Sequence, residues 1–210
     1  MIRAFIFDCW NTVFYGDSPF HRFINTLGIE ENLEFKERFE RCFFTRKINS
    51  IEEIIREFLE KEGIPYNTAL LHKLAESFII KDIHIFKDAE LGIKELRKRG
   101  YKTAVLSNTS CQSYESLKER FKLKQLFDVI ILSCNVGFLK PEKRIFEIAL
   151  EELGCSANEA VMVGDSLEED IRGAESVGMK AILIDRENKR PDVKNRVQSI
   201  TELTGIIANL

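Results

Sequence analysis

Five short β-rich runs, Arg3 to Phe7, Lys102 to Leu106, Val129 to Leu132, Ala160 to Val163 and Lys180 to Ile184, are separated by stretches patterned as helices. Strands alternating with helices specify βαβ units and a parallel sheet, so the fold class expected is α/β with a Rossmann-like parallel sheet core. Leu91, Ile93 and Leu96, and later Ile145, Phe146, Ala149, Leu150 and Leu153, fall on helical faces between these strands. Gly100 and Gly154 stand where those helices end.

The ends of two runs carry acids. Ala4-Phe5-Ile6-Phe7 stops on Asp8, and the run from Ala160 ends in Gly164-Asp165-Ser166-Leu167-Glu168-Glu169-Asp170. In an open parallel sheet the strand tips that finish together form the crevice where ligands bind, so Asp8, Asp165 and Asp170 are expected to converge.

Residues 14–86 break the pattern. They show no strand, and three amphipathic helices are marked by Phe35, Phe39, Cys42 and Phe43, by Ile51, Ile54, Ile55, Phe58 and Leu59, and by Leu70, Leu71, Leu74 and Phe78. This is expected to be a helical cap domain, 14–86, inserted into a core domain of 1–13 and 87–210. Tyr15 to Pro19 and Lys81 to Lys87 are the expected hinges, and Gly63-Ile64-Pro65 breaks the helical pattern inside the cap.

The 210 residues, 44% hydrophobic, suffice for a full core in one domain with an insertion. A net charge of -3 provides no positive field to hold nucleic acid or an anionic membrane, so a small-molecule partner is expected. Met1-Ile2-Arg3 runs straight into a strand with no leader and no membrane-spanning stretch, and a cytoplasmic location is expected. Five cysteines, Cys9, Cys42, Cys111, Cys134 and Cys155, lack zinc-ligand spacing and are expected to be reduced. Cys9 should point away from the face Asp8 uses and serve as a small buried apolar residue. Arg186 to Pro191 reads as a solvated charged loop. His21, His72 and His84 are expected to have ordinary surface or core roles, with His21 alone placed where it could visit the site. Nothing in the sequence sets the oligomeric state.

Four segments stand in order along the chain: Phe7-Asp8-Cys9-Trp10-Asn11-Thr12, Ser107-Asn108, Phe138-Leu139-Lys140-Pro141-Glu142, and Gly164-Asp165-Ser166 with Asp170. Together they resemble the motifs of the haloacid dehalogenase (HAD) superfamily over essentially the whole chain. The resemblance implies a hydrolase with Asp8 as covalent nucleophile, which splits one hard hydrolysis into two easier displacements. Lys140 would supply positive charge, and Thr12, Ser107 and the amides near Asn108 would donate hydrogen bonds to an anionic substrate.

The phosphatase branch further implies Mg²⁺ held by Asp8, the Trp10 carbonyl and Asp165, with Asp170 supporting Lys140. That branch usually carries a second aspartate as acid and base where this chain has Trp10, and an indole cannot do that work. The dehalogenase branch has an aromatic there and needs no metal, because halide leaves without a proton. Against that branch, Gly164-Asp165-Ser166 replaces its Ser-Ser-Asn, and Phe146 replaces its tyrosine. The expected function is a Mg²⁺-dependent phosphatase of small phosphate esters, with a metal-independent 2-haloacid dehalogenase and a non-catalytic binding protein as alternatives. A purely structural charge network is the remaining reading of the same acids, and Ser107 and Asn108 could simply cap the following helix.

Overall fold

A computed structural model describes residues 1–79, 81–118 and 120–207. β1 (Ala4–Phe7), β4 (Lys102–Ser107), β5 (Val129–Leu132), β6 (Ala160–Gly164), β7 (Lys180–Ile184) and β8 (Arg196–Val197) form one parallel sheet in the order β5-β4-β1-β6-β7-β8. All five expected strands are present. β8 has only two residues, too few to show a period in the sequence.

Every residue of β1 is buried because the sheet is covered on both sides. Phe5 and Phe7 enter one apolar cluster with Val105, Val163 and Ile93, while Ala4 and Ile6 enter the other with Leu106, Ile145 and Phe146. Ile93 lies on α5 (Lys87–Lys98), and Ile145 and Phe146 lie on the helix Lys143–Leu153.

The segment after β1 differs from expectation in one respect. It contains two short strands, β2 (Phe14–Gly16) and β3 (Ile83–Ile85), paired antiparallel where the hinges were expected. Between them come α1 (Pro19–Leu27), α2 (Leu33–Phe43), α3 (Ile51–Lys61) and α4 (Thr68–Ala75), each with a side-chain N-cap from Ser18, Asn32, Ser50 and Asn67 respectively. Their inward faces make a third cluster dominated by Phe20, Phe23, Phe39, Phe43, Phe58 and Phe78, with ring centroids as close as 4.6 Å. Leu139, the neighbour of Lys140, enters the same cluster and ties it to the sheet.

The cysteine expectation is corrected. Cys111, at the start of α6 (Cys111–Lys118), and Cys134 form a disulfide with Cα atoms 5.8 Å apart. The two residues follow β4 and β5, and those strands are neighbours. Their approach is therefore set by strand order and not by spacing along the chain. Among the described residues no helix is long and apolar enough to cross a membrane.

Candidate active site

β1 is flanked by β4 and β6, with Phe7 in register with both Val105 and Val163. The three strands finish at one edge, so Asp8, Ser107 and Asp165 leave the sheet side by side. The Asp8 amide prolongs the ladder by donating to the Val163 carbonyl at 2.9 Å.

The Lys140 ammonium sits between two carboxylates, 2.6 Å from Asp8 Oδ1 and 2.6 Å from Asp170 Oδ1. Asp170 Oδ2 accepts from the Ser166 amide at 3.0 Å, so both of its oxygens are engaged in holding Lys140 and the loop. Gly164 permits this approach, because a Cβ there would lie 2.2 Å from Asp170 Oδ2. Asp170 is carried on a π-helical turn, Leu167–Arg172, capped by Ser166.

Asn108 clamps Lys140 from behind: its Oδ1 accepts from the Lys140 amide at 2.8 Å and its Nδ2 donates to the Lys140 carbonyl at 3.1 Å. The same Nδ2 also donates to Glu169 Oε2 at 3.2 Å. The N-terminal cap of α6 is Ser110, whose hydroxyl accepts from the Ser113 amide at 3.1 Å, and not Ser107 or Asn108.

Asp8, Asp165 and Asp170 each offer an oxygen within 4.8 Å of the others. Three carboxylates therefore face a single ammonium. Burial pushes the Asp8 carboxyl well above the ordinary range, with Lys140 opposing and Asp170 and Asp165 reinforcing the rise. Asp165 is the solvent-facing member, yet burial of its carboxyl end and the Asp170 charge push it up to about 6. Burial works against the charge on Lys140, but Asp170 and Asp8 hold its pKa above the ordinary value.

Three buried oxygens in or beside this cluster have no hydrogen-bond partner among the described residues: Asp8 Oδ2, Thr12 Oγ1 and Ser107 Oγ. Native buried polar atoms are seldom left so, and such a group costs roughly 1–3 kcal/mol unless a bound species satisfies it. Hard carboxylate oxygens this close, one of them unpaired, fit a small divalent cation such as Mg²⁺. Trp10 is partly buried and packs on the apolar core. Burial and then the Asp8 charge push the Cys9 thiol up, so it is an inert apolar neighbour.

Two residues escaped the sequence reading. Arg186 is not part of a solvated loop: it donates to the Thr12 carbonyl at 2.6 Å and the Asn11 carbonyl at 3.2 Å, and lies 3.7 Å from the Phe86 ring centroid. Asp88 receives the same guanidinium at 2.9 and 3.0 Å. This pair fixes the loop that follows Asp8. Its only sequence signal is that Arg186 comes two residues after a strand end, Ile184. His21 has the ordinary surface role expected of it: it bonds Ser18 at 2.8 Å and Glu31 at 3.4 Å and does not line the cleft beside Lys140.

That cleft has a volume of about 1170 Å³ and runs between α2 and the loops carrying Lys140 and Ser166. It reaches the charge cluster from the Lys140 side, since Asp8 and Asp165 are not among its walls. Ion pairs of Lys36 with Glu169 at 3.8 Å and Arg41 with Glu142 at 2.8 Å cross it.

The profile of the haloacid dehalogenase-like hydrolases matches residues 2–178, and the chain belongs to that family. It is 43% identical over 94 residues to a glyceraldehyde 3-phosphate phosphatase of Methanothermobacter thermautotrophicus, a match covering 44% of this chain and 41% of that protein. It is 23% identical over 223 residues to (S)-2-haloacid dehalogenase 4A of Burkholderia cepacia, covering 99% and 95% of the two chains. Among solved structures, a HAD phosphatase from Thermococcus onnurineus superposes with a TM-score of 0.65 at 26% identity over 98% of both chains. The chain spans about half the length of the curated phosphatases it matches.

Proposed function

We propose that this protein is a Mg²⁺-dependent phosphatase of small phosphate esters, with residues 14–86 acting as a cap on a core of 1–13 and 87–210. The observation that carries the reading is the third carboxylate. Asp165 adds a further anion to a cluster whose one ammonium already serves both Asp8 and Asp170. Without a cation that arrangement is costly and serves no purpose. Asp8, the Trp10 carbonyl and Asp165 would hold the metal, which when bound supplies charge neutralisation for the phosphoryl oxygens.

Asp8 attacks phosphorus, the bond to the leaving oxygen breaks, and water then hydrolyses the aspartyl phosphate. The unpaired Thr12 and Ser107 hydroxyls donate to the transferring oxygens. Lys140 holds the nucleophile in place and offsets its charge.

Asp165→Asn is expected to weaken Mg²⁺ binding by about 10²-fold, the scale of one unit charge at a partly solvated site. Calorimetric titration in the presence of a phosphate analogue reads this directly. No measurable Mg²⁺ affinity in the unmutated protein would overturn the metal assignment.

Trp10 favours a second reading, a metal-independent 2-haloacid dehalogenase, because its indole, two residues on from Asp8 and packed on the apolar core, can neither give nor take the proton that an ester's leaving group needs. A panel of phosphate esters and 2-chloroacids assayed with Mg²⁺ and with a chelator separates the two. Halide release that persists in chelator, with no ester turnover, selects the dehalogenase. A third reading, binding without turnover, is excluded by a covalent adduct on Asp8.

A further inference from the structure

We propose that Glu40, on the cap helix α2, is the proton donor and acceptor that Trp10 cannot be. This assignment rests on the phosphatase reading of the same site.

The helix places it. Phe35, Phe39 and Phe43 bury one face of α2 in the phenylalanine cluster, which turns Lys36 and Glu40, one turn apart, toward the cleft that Lys140 also lines. The Glu40 side chain keeps 14% of its exposure, and Lys36 stands 3.7 Å away. Lys36 also reaches Glu169 at 3.8 Å, and Glu169 accepts from the Asn108 side chain at 3.2 Å. Asn108 in turn clamps the Lys140 backbone. A continuous set of contacts therefore joins Glu40 to the residue that holds the nucleophile.

The charged groups acting on Glu40 are Glu169 and Lys140 from the core and Lys36 from its own helix. The nearby cations Arg41 and Arg38 are occupied by Glu142 at 2.8 Å and Glu62 at 2.8 Å. Burial, and then the Glu169 carboxylate, push the Glu40 carboxyl up to about 7, which matches what an acid and base needs near neutral pH. Lys36, 3.7 Å away, and Lys140 oppose that rise and do not cancel it.

The step balances. As the Asp8 oxygen bonds to phosphorus and the phosphorus–oxygen bond to the alkoxide breaks, the alkoxide takes the Glu40 proton and leaves as the alcohol. Glu40, now a carboxylate, takes a proton from water as that oxygen attacks the aspartyl phosphate. The phosphorus–Asp8 bond breaks, releasing inorganic phosphate, the Asp8 carboxylate and protonated Glu40.

The test compares Glu40→Gln and Glu40→Asp with the unmutated protein, using an alkyl phosphate and 4-nitrophenyl phosphate at saturating Mg²⁺. Glu40→Gln is expected to lower turnover of the alkyl ester by roughly 10²-fold or more and that of the aryl ester by less than about tenfold, since nitrophenolate needs little protonation. The descending limb of kcat/KM near neutral pH is expected to vanish in Glu40→Gln and to return, with part of the turnover, in Glu40→Asp. Unchanged alkyl turnover overturns the proposal, as does an equal loss on both esters with an unchanged pH profile and no recovery in Glu40→Asp. Inertness of the unmutated protein toward every ester, with no adduct on Asp8, overturns the phosphatase reading and the role of Glu40 with it.

Discussion

Asp8→Asn is expected to lower turnover on the best substrate by on the order of 10⁴-fold or more, as losses of covalent nucleophiles do. The amide is neutral and a poor nucleophile, yet nearly the same shape. Its oxygen can still accept from Lys140, which keeps its second partner, Asp170, at 2.6 Å. The fold is therefore expected to survive, and the melting temperature to hold or rise, because burial already disfavours the Asp8 charge. Mass spectrometry of the acid-quenched protein gives the companion result: a phosphoryl adduct on Asp8 in the parent, none in the variant. A folded Asp8→Asn protein that kept most of its activity would rule out covalent catalysis at this residue.

The part of this arrangement legible in the sequence is the part carried by strands. β1 and β6 are apolar throughout because both faces of the sheet are covered, and a residue that follows such a run must lie at the sheet edge. Asp8, Ser107 and Asp165 could be placed by that rule alone. The β2 and β3 pair could not: each has three residues, Tyr15 faces solvent, and their partnership is long-range.

The disulfide was hidden for a similar reason, since Cys111 and Cys134 meet only once β4 lies beside β5. Arg186 looked like one more charge in a polar loop until the fold brought the Thr12 carbonyl within 2.6 Å of it. The position of Glu40 depends on how the helices between β2 and β3 seat over the sheet. That seating is fixed by tertiary contacts no local pattern encodes, among them Lys36 to Glu169, Arg41 to Glu142, and the Gln112 side chain to the Ile48 carbonyl at 2.9 Å.

Lys140→Met is expected to cost about 3–5 kcal/mol of stability at pH 8 in metal-free buffer, the range for removing one partner of a buried ion pair. In a domain of this size that is a fall in melting temperature of about 10 °C or more. Methionine preserves most of the volume, so the loss reports charge and not a cavity. Lys140 lowers the Asp8 pKa, and without it the folded value, already raised by burial, climbs further. From the ordinary carboxylate value of about 4 up to that raised value the folded state binds more protons than the unfolded one, so stability falls as pH rises. The gap between parent and variant should thus be small near pH 4 and widen toward pH 8. Mg²⁺ should narrow it at pH 8, because a cation that binds only the folded carboxylates stabilises that state. A gap below about 1 kcal/mol at pH 8, or one that does not change with pH, would mean that these carboxylates are solvated, and the charge argument for a metal at Asp165 would fail with it.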